Sequence, residues 1–206
     1  MSQRIAWRLL TRFRQVLQRN SLLRKLRGAV EVDETYIGGE EQGRPGRGIE
    51  EKALVVIAAE EDGKGIGRIR LKHIRDASGA SLIPFVAEAV AAGSVVHTDG
   101  WPGYRGLSAK GFKHEVTISA PDPHRAAALL PRVHRVASLL KRWLLGTHQG
   151  AVSNKHLQRY LDEYTFRFNR RRSRHPGKIF FRLAQQVVAT ERTTYRALVD
   201  SQKSPQ

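Results

Sequence analysis

The sequence predicts an α/β domain: a mixed β-sheet with flanking helices, preceded by an amino-terminal helix. Three observations carry this. Strand-like segments follow one another between residues 30 and 73, a helix and another short strand come next, and helical periodicity dominates after residue 131. The 206 residues are 40% hydrophobic and 27% charged, which suits one core of fair size and argues against wholesale disorder.

Each element has a local reason. Over residues 3–18, Ile5, Leu9, Phe13, Val16 and Leu17 share one helical face, with Arg4, Arg8, Arg12 and Arg19 elsewhere. VEVDETYI (Val30–Ile37) alternates and is rich in β-formers, so it reads as a strand. Residues 38–51 hold five glycines and Pro45, a long hairpin connection. Ala53–Ala59 is a continuous apolar run, a buried strand, whereas Ile69, Leu71 and His73 alternate with Arg68, Arg70 and Lys72 and leave one face wet. A helix follows, with Ser81 as N-cap, Pro84 in its first turn and Gly93 just past its end. SVVH (Ser94–His97) is a short buried strand stopped by Asp99-Gly100, and His114–Ile118 is a weaker one. The later helices break at Gly146 and again near Pro176. One catalytic-sized domain is thus expected over 30–190, between a basic helical segment at 1–29 and a basic tail at 191–206.

Charge narrows the partners. Thirty-six Lys and Arg against 19 Asp and Glu leave +17, and 26 of the 36 are Arg, the residue that grips phosphates bidentately. Residues 1–30 carry +8, residues 31–130 carry −3, and residues 131–206 carry +12. Basic flanks suit a phosphate backbone and an acidic middle suits metal-binding carboxylates, although an uneven solvated surface gives the same pattern. Without cysteine, disulfides, cysteine nucleophiles and thiolate zinc sites are excluded. There is no apolar run of 18 residues and no secretory signal core, so no membrane partner is expected and a cytoplasmic, nucleoid-associated location is.

Candidate chemistry lies in the acidic middle. By alternation Val30, Val32 and Glu34 share one face of their strand, and Glu31, Asp33 and Thr35 the other. An acid facing inward at Asp33 needs a partner. Asp99 lies at the carboxyl end of its strand, the rim where α/β sheets bind ligands. The two carboxylates, 66 positions apart, converge if their strands are neighbours, although Asp before Gly is also an ordinary turn. His134 opens the helix HRVASLLKRWLLG, and Lys141 returns to nearly the same face two turns later, with Ser138 between. By spacing alone that helix reads rather as a surface helix whose polar stripe lies opposite Val133, Val136, Leu140 and Leu144. In the next helix Leu157, Tyr160, Leu161, Tyr164 and Phe168 form a core stripe. Arg167, Arg170, Arg171, Arg172 and Arg174 crowd its end, more than dipole compensation requires.

Four ordered strings, VEVDETYIGG (Val30–Gly39), HTDGWPGY (His97–Tyr104), HRVASLLKRWLLGTHQG (His134–Gly150) and LQRYLDEYTFRFNRRRS (Leu157–Ser173), resemble the RNase H-like catalytic domain of bacterial insertion-sequence transposases of the acid-triad (DDE) type. They look most like the group whose full-length members begin with a zinc ribbon and a helix-turn-helix. The resemblance runs from about residue 2 to residue 188. It implies an RNase H-like fold, with Asp33 and Asp99 as the first two catalytic, metal-binding acids. His134 stands where most relatives place Glu or Asn and some place His, and Lys141 matches a basic residue that contacts DNA near the scissile phosphate. It further implies two Mg²⁺ or Mn²⁺ ions at Asp33, Asp99 and His134, and cleavage of transposon ends followed by strand transfer into target DNA by a homo-oligomer.

Lys141, Arg142, Arg167, Arg170, Arg171 and Arg172 are the expected DNA contacts. An imidazole at the third position predicts a preference for Mn²⁺ over the harder Mg²⁺, and Glu163 is an alternative third ligand. SQRIAWRLLTRFRQ resembles the tail of the helix-turn-helix, so amino-terminal truncation is expected. Two alternative functions share the fold: a catalytically inactive DNA-binding transposase remnant, and a structure-selective nuclease.

Overall fold

The computed structural model describes residues 24–38, 52–117, 129–148 and 154–189, together with helical residues 5, 6, 9, 10, 13, 14 and 17. The chain divides into two compact units, residues 24–154 and a second that joins 1–23 to 155–206. Of the glycine-rich connection expected over 38–51, only Gly38 falls among the described residues, and the tail at 191–206 lies outside them.

The first unit is a five-stranded mixed sheet of β1 (Ala29–Ile37), β2 (Ala53–Asp62), β3 (Gly65–Ile74), β4 (Val95–Thr98) and β5 (Lys113–Val116). Helix α1 (Gly79–Ala89) precedes β4, and helix α2 (Pro131–His148) follows β5. The strand order is β3-β2-β1-β4-β5. β1 and β3 flank β2 antiparallel, whereas β4 runs parallel to both β1 and β5. That order and those directions are the RNase H-like arrangement the sequence predicts.

Both sheet faces are covered, which is why β2 is apolar without alternation. On one face Val30, Val32, Leu54, Val56, Ala58 and Ile74 form a core with Leu82, Phe85, Val86 and Ala89 of α1. On the other, α2 packs on β1 and β2. There Val55, Ile57, Ala59, Ile69 and Leu71 of the sheet and Val133, Val136, Leu140 and Leu144 of α2 are all buried. β1 sits at the centre, so its alternation assigns Val30 and Val32 to the α1 face and Glu31 and Asp33 to the α2 face.

Two helix boundaries differ from the local signals. α1 begins at Gly79, not after Ser81, and Ser78 is its N-cap. The Asp76 carboxylate accepts the Ser78 backbone N–H and the Ser81 hydroxyl, a loop that turns the chain into the helix one turn early. Pro84 therefore lies inside the helix. α2 likewise continues through Gly146 to His148. A helical glycine costs only about 1 kcal/mol relative to Ala, and burial of Leu140 and Leu144 on either turn before it outweighs that.

The second unit contains α3 (Asn154–Asn169) and α4 (Pro176–Ala189), with the break before Pro176 where the sequence places it. Leu157, Leu161 and Tyr164 of the expected stripe are buried, and so are Asp162 and Thr165, which the periodicity did not mark. Arg14 of the amino-terminal helical segment reaches Glu163 at 2.7 Å and stacks 4.3 Å from the centre of the Tyr160 ring. That pair joins the amino-terminal segment to α3.

Candidate active site

The sheet register brings the two aspartates together. Ala29 pairs with Val95, Val30 with Val96 and Glu31 with His97, so partners on β1 and β4 differ by 66 positions, the separation of Asp33 and Asp99. The strands are parallel, so the same offset carried two residues further sets Asp33 beside Asp99. β4 ends at Thr98, and Gly100 adopts φ 87°, a left-handed turn that glycine takes without strain. Asp99 is exposed, and its Oδ1 accepts the Trp101 backbone N–H at 3.0 Å. The carboxyl-end rim is therefore where Asp33 and Asp99 come together.

Helix α2 brings His134 toward Asp33. His134 Nε2 lies 3.8 Å from Asp33 Oδ2, with the imidazole 40% and the carboxylate 19% exposed. What holds α2 in that place is a pair the sequence reading did not assign, Glu31 with Arg132. Glu31 is only 2% exposed. Its Oε2 accepts the backbone N–H groups of Arg132 at 2.7 Å and Val133 at 3.0 Å, which caps the start of the helix. Its Oε1 accepts the Arg132 guanidinium at 2.8 Å. The same guanidinium donates to Glu61 Oε1 at 3.0 Å and to the carbonyls of Gly65 and Gly63 at 3.1 and 2.9 Å, at the β2–β3 turn. Glu31 precedes Asp33 by two residues on one strand face, and Arg132 precedes His134 by two on one helix. The ion pair thus fixes the strand-to-helix distance across which imidazole and carboxylate meet. An inward acid on β1 was the available signal, but its partner lies 101 residues away.

The electrostatics are those of crowded acids. Burial pushes the Asp33 carboxyl up to about 6; the Glu34 backbone N–H opposes this and the Asp99 charge adds to it. Burial also raises Glu34, while the Tyr104 hydroxyl, which donates to its Oε2 at 2.6 Å, works against the rise; the charges of Asp33 and Asp99 reinforce it. Among the described residues no group of three His, Cys, Asp or Glu side chains is drawn together tightly enough to enclose a metal ion. The donor set nonetheless suits a divalent cation. The Asp99 charge acts on the Asp33 carboxylate, whose ionisation carries a cost that a cation would relieve, and a half-exposed imidazole stands beside Asp33.

The basic residues divide. Lys141 and Arg142 are exposed on α2. In the second unit Arg167 pairs with Glu163 at 2.8 Å. Arg170 stacks 3.8 Å from the centre of the Phe166 ring, and Arg171 stacks 3.9 Å from that of Phe168 while donating to the Phe168 carbonyl at 2.9 Å. Arg172 is exposed. Part of this cluster therefore finishes helix α3, as the dipole argument anticipates. Glu163, the alternative third ligand, is engaged by Arg14 and Arg167. Burial alone would raise it, but those two guanidinium groups hold it below the ordinary carboxylate range.

No curated protein matches the sequence. Among solved structures, a pre-cleavage Mos1 transpososome is similar at 14% identity over 91% of this chain and 64% of that chain, with a TM-score of 0.29. The Mos1 strand transfer complex is similar at 15% identity over 91% and 63%, also with a TM-score of 0.29. A Mos1 mariner paired-end complex with Mn is similar at 14% over 92% and 63%, with a TM-score of 0.27. This chain spans less than two thirds of each of those chains. The ISXO2-like transposase domain matches residues 25–169, the stretch that holds Glu31, Asp33, Asp99, Arg132 and His134, and the chain belongs to that transposase domain family.

Proposed function

We propose that the chain catalyses divalent-metal-dependent DNA cleavage and strand transfer, as the catalytic domain of a DDE-type insertion-sequence transposase. The observation that supports this most is the convergence of Asp33 and Asp99 on adjacent parallel strands, with His134 3.8 Å from Asp33. Asp33, Asp99 and His134 would hold the two Mg²⁺ or Mn²⁺ ions. The chemistry such cations supply is activation of the attacking water or 3′-hydroxyl and stabilisation of the leaving 3′-oxygen. Asp33 and Asp99 must both be ionised to act as ligands, so a cation binding there would displace the proton that burial holds on Asp33. His134 ligates as the neutral imidazole and lends no charge.

Lys141, exposed two turns along α2, would neutralise phosphate near the cut, with Arg142 beside it. Arg167, Arg170, Arg171 and Arg172 add phosphate contacts. The partners are transposon-end and target DNA. Joining two ends calls for at least two copies on DNA, at the nucleoid.

The test is cleavage and joining of a labelled duplex carrying the element's end, in Mg²⁺ and in Mn²⁺. Asp99→Asn and His134→Ala are each expected to abolish both steps. Binding without cleavage in either metal would instead favour the non-catalytic DNA-binding reading, and cutting of branched DNA regardless of end sequence would favour the nuclease.

A further inference from the structure

We infer that Trp101 is a stacking platform for an unpaired nucleobase next to the scissile phosphate. The inference rests on the DNA-cleaving function proposed above and assigns a specific substrate contact to it. Trp101 is 47% exposed although it lies two residues beyond Asp99, at the mouth of the candidate site. It is not a loose surface side chain. Its backbone N–H donates to Asp99 Oδ1 at 3.0 Å, and its indole N–H donates to the Ala77 carbonyl at 2.7 Å.

Gly103 makes that second bond possible. A Cβ at Gly103 would stand 2.5 Å from the Ala77 carbonyl oxygen and 3.0 Å from Trp101 Cδ1, so any other residue there would push the indole out of its slot. With the N–H edge held against the protein, the part of the ring left open is apolar. A rigid aromatic surface of this kind loses little entropy when a flat partner covers it.

Charge and distance select the partner. Arg105, at the end of the short 3-10 turn Pro102–Tyr104, and Arg75, two residues before Ala77, are both exposed. The Oδ1 atom of the intervening Asp76 accepts from Ser78 and Ser81, and the Arg75 charge also acts on that carboxylate. An apolar ring on a rim that also carries exposed cations suits a base attached to a phosphodiester chain. Two residues of backbone span at most about 7 Å, and successive nucleotides along one strand advance about 3.4 Å. The base over Trp101 is therefore within about two nucleotides of a phosphate held at Asp99. It must be unpaired, because in intact duplex both faces of a base are covered by its neighbours.

The experiment uses the full chain in EDTA, so that no strand is cut, and two forked duplexes. One carries four unpaired thymidines, and the other carries abasic sugars at the same positions. Wild type is expected to bind the base-bearing fork about tenfold more tightly, the scale of one stacked base. Trp101→Leu and Trp101→Ala are expected to bind both forks as wild type binds the abasic one, with an unchanged salt slope, whereas Trp101→Phe keeps most of the preference. Far-UV CD melts establish that each variant is folded. Quenching of wild-type tryptophan fluorescence by the base-bearing fork, lost in Trp101→Phe, is an independent readout. A wild type indifferent to the missing bases, or a Trp101→Leu variant that keeps the preference, overturns the inference while leaving the transposase reading intact. A wild type that binds neither fork nor intact duplex refutes the DNA function itself, and the inference with it.

Discussion

Replacement of Glu31 tests whether the Glu31–Arg132 pair is what seats helix α2. In Glu31→Ala three donors lose their acceptor at once: the guanidinium at 2.8 Å and the backbone N–H groups of Arg132 and Val133 at 2.7 and 3.0 Å. The guanidinium retains Glu61 and two carbonyls, so its loss is partial. Both helix N–H groups donate to Glu31 Oε2, and losing a helix cap typically costs about 0.5–2 kcal/mol. Breaking a buried ion pair from one side costs about 3–5 kcal/mol. These terms overlap, so a total of about 3–5 kcal/mol is expected for Glu31→Ala, against about 5–15 kcal/mol for a whole domain. Glu31→Gln keeps one acceptor oxygen and the side-chain volume and should lose roughly half as much.

The assay is urea unfolding followed by far-UV CD for wild type, Glu31→Ala, Arg132→Ala and the double variant. A coupling of at least about 1.5 kcal/mol between the two sites is expected. A Glu31→Ala variant within about 0.5 kcal/mol of wild type, or additive single effects, would refute the reasoning: α2 would then be seated by its apolar stripe alone.

Three further outcomes follow from the same geometry. Burial holds Asp162, like Asp33, at about 6 against an ordinary 3.8, so the fold binds these protons more tightly than the unfolded chain and stability falls as pH rises from about 4 through about 6. Asp162→Asn should therefore stabilise by about 1–3 kcal/mol at pH 7 and much less at pH 4; equal gains at both pH values in thermal melts would contradict this. Mn²⁺ should support faster cleavage than Mg²⁺ at matched concentration, and His134→Glu should narrow or reverse the ratio, because a carboxylate restores a hard, charged donor; an unchanged ratio would remove His134 from the ligand set. Replacing Arg167, Arg170, Arg171 and Arg172 with Gln should weaken binding of all DNA sequences alike and flatten the log–log salt slope by roughly 0.9 per lost phosphate contact. An unchanged slope would leave the ring-stacking and helix-capping contacts as the whole role of these arginines.

Much of this protein is local and so could be read along the chain. The alternation in VEVDETYI fixed which residues of β1 share a face, and that parity survives folding because a strand has no other way to turn its side chains. Asp99-Gly100 marked the end of β4 for an equally local reason, since a left-handed turn there calls for glycine. The basic ends and acidic middle pointed to DNA and metal before any contact was visible. Tertiary structure alone decided what those residues meet. The passage of α2 through Gly146 depended on burial of a leucine stripe. Asp162 became a core residue because its helix is covered on that side too. Glu163 met Arg14 across 149 residues, and Glu31 met Arg132 across 101. Periodicity and turn chemistry act over one or two turns of chain, whereas these pairings depend on which distant elements tertiary packing brings together.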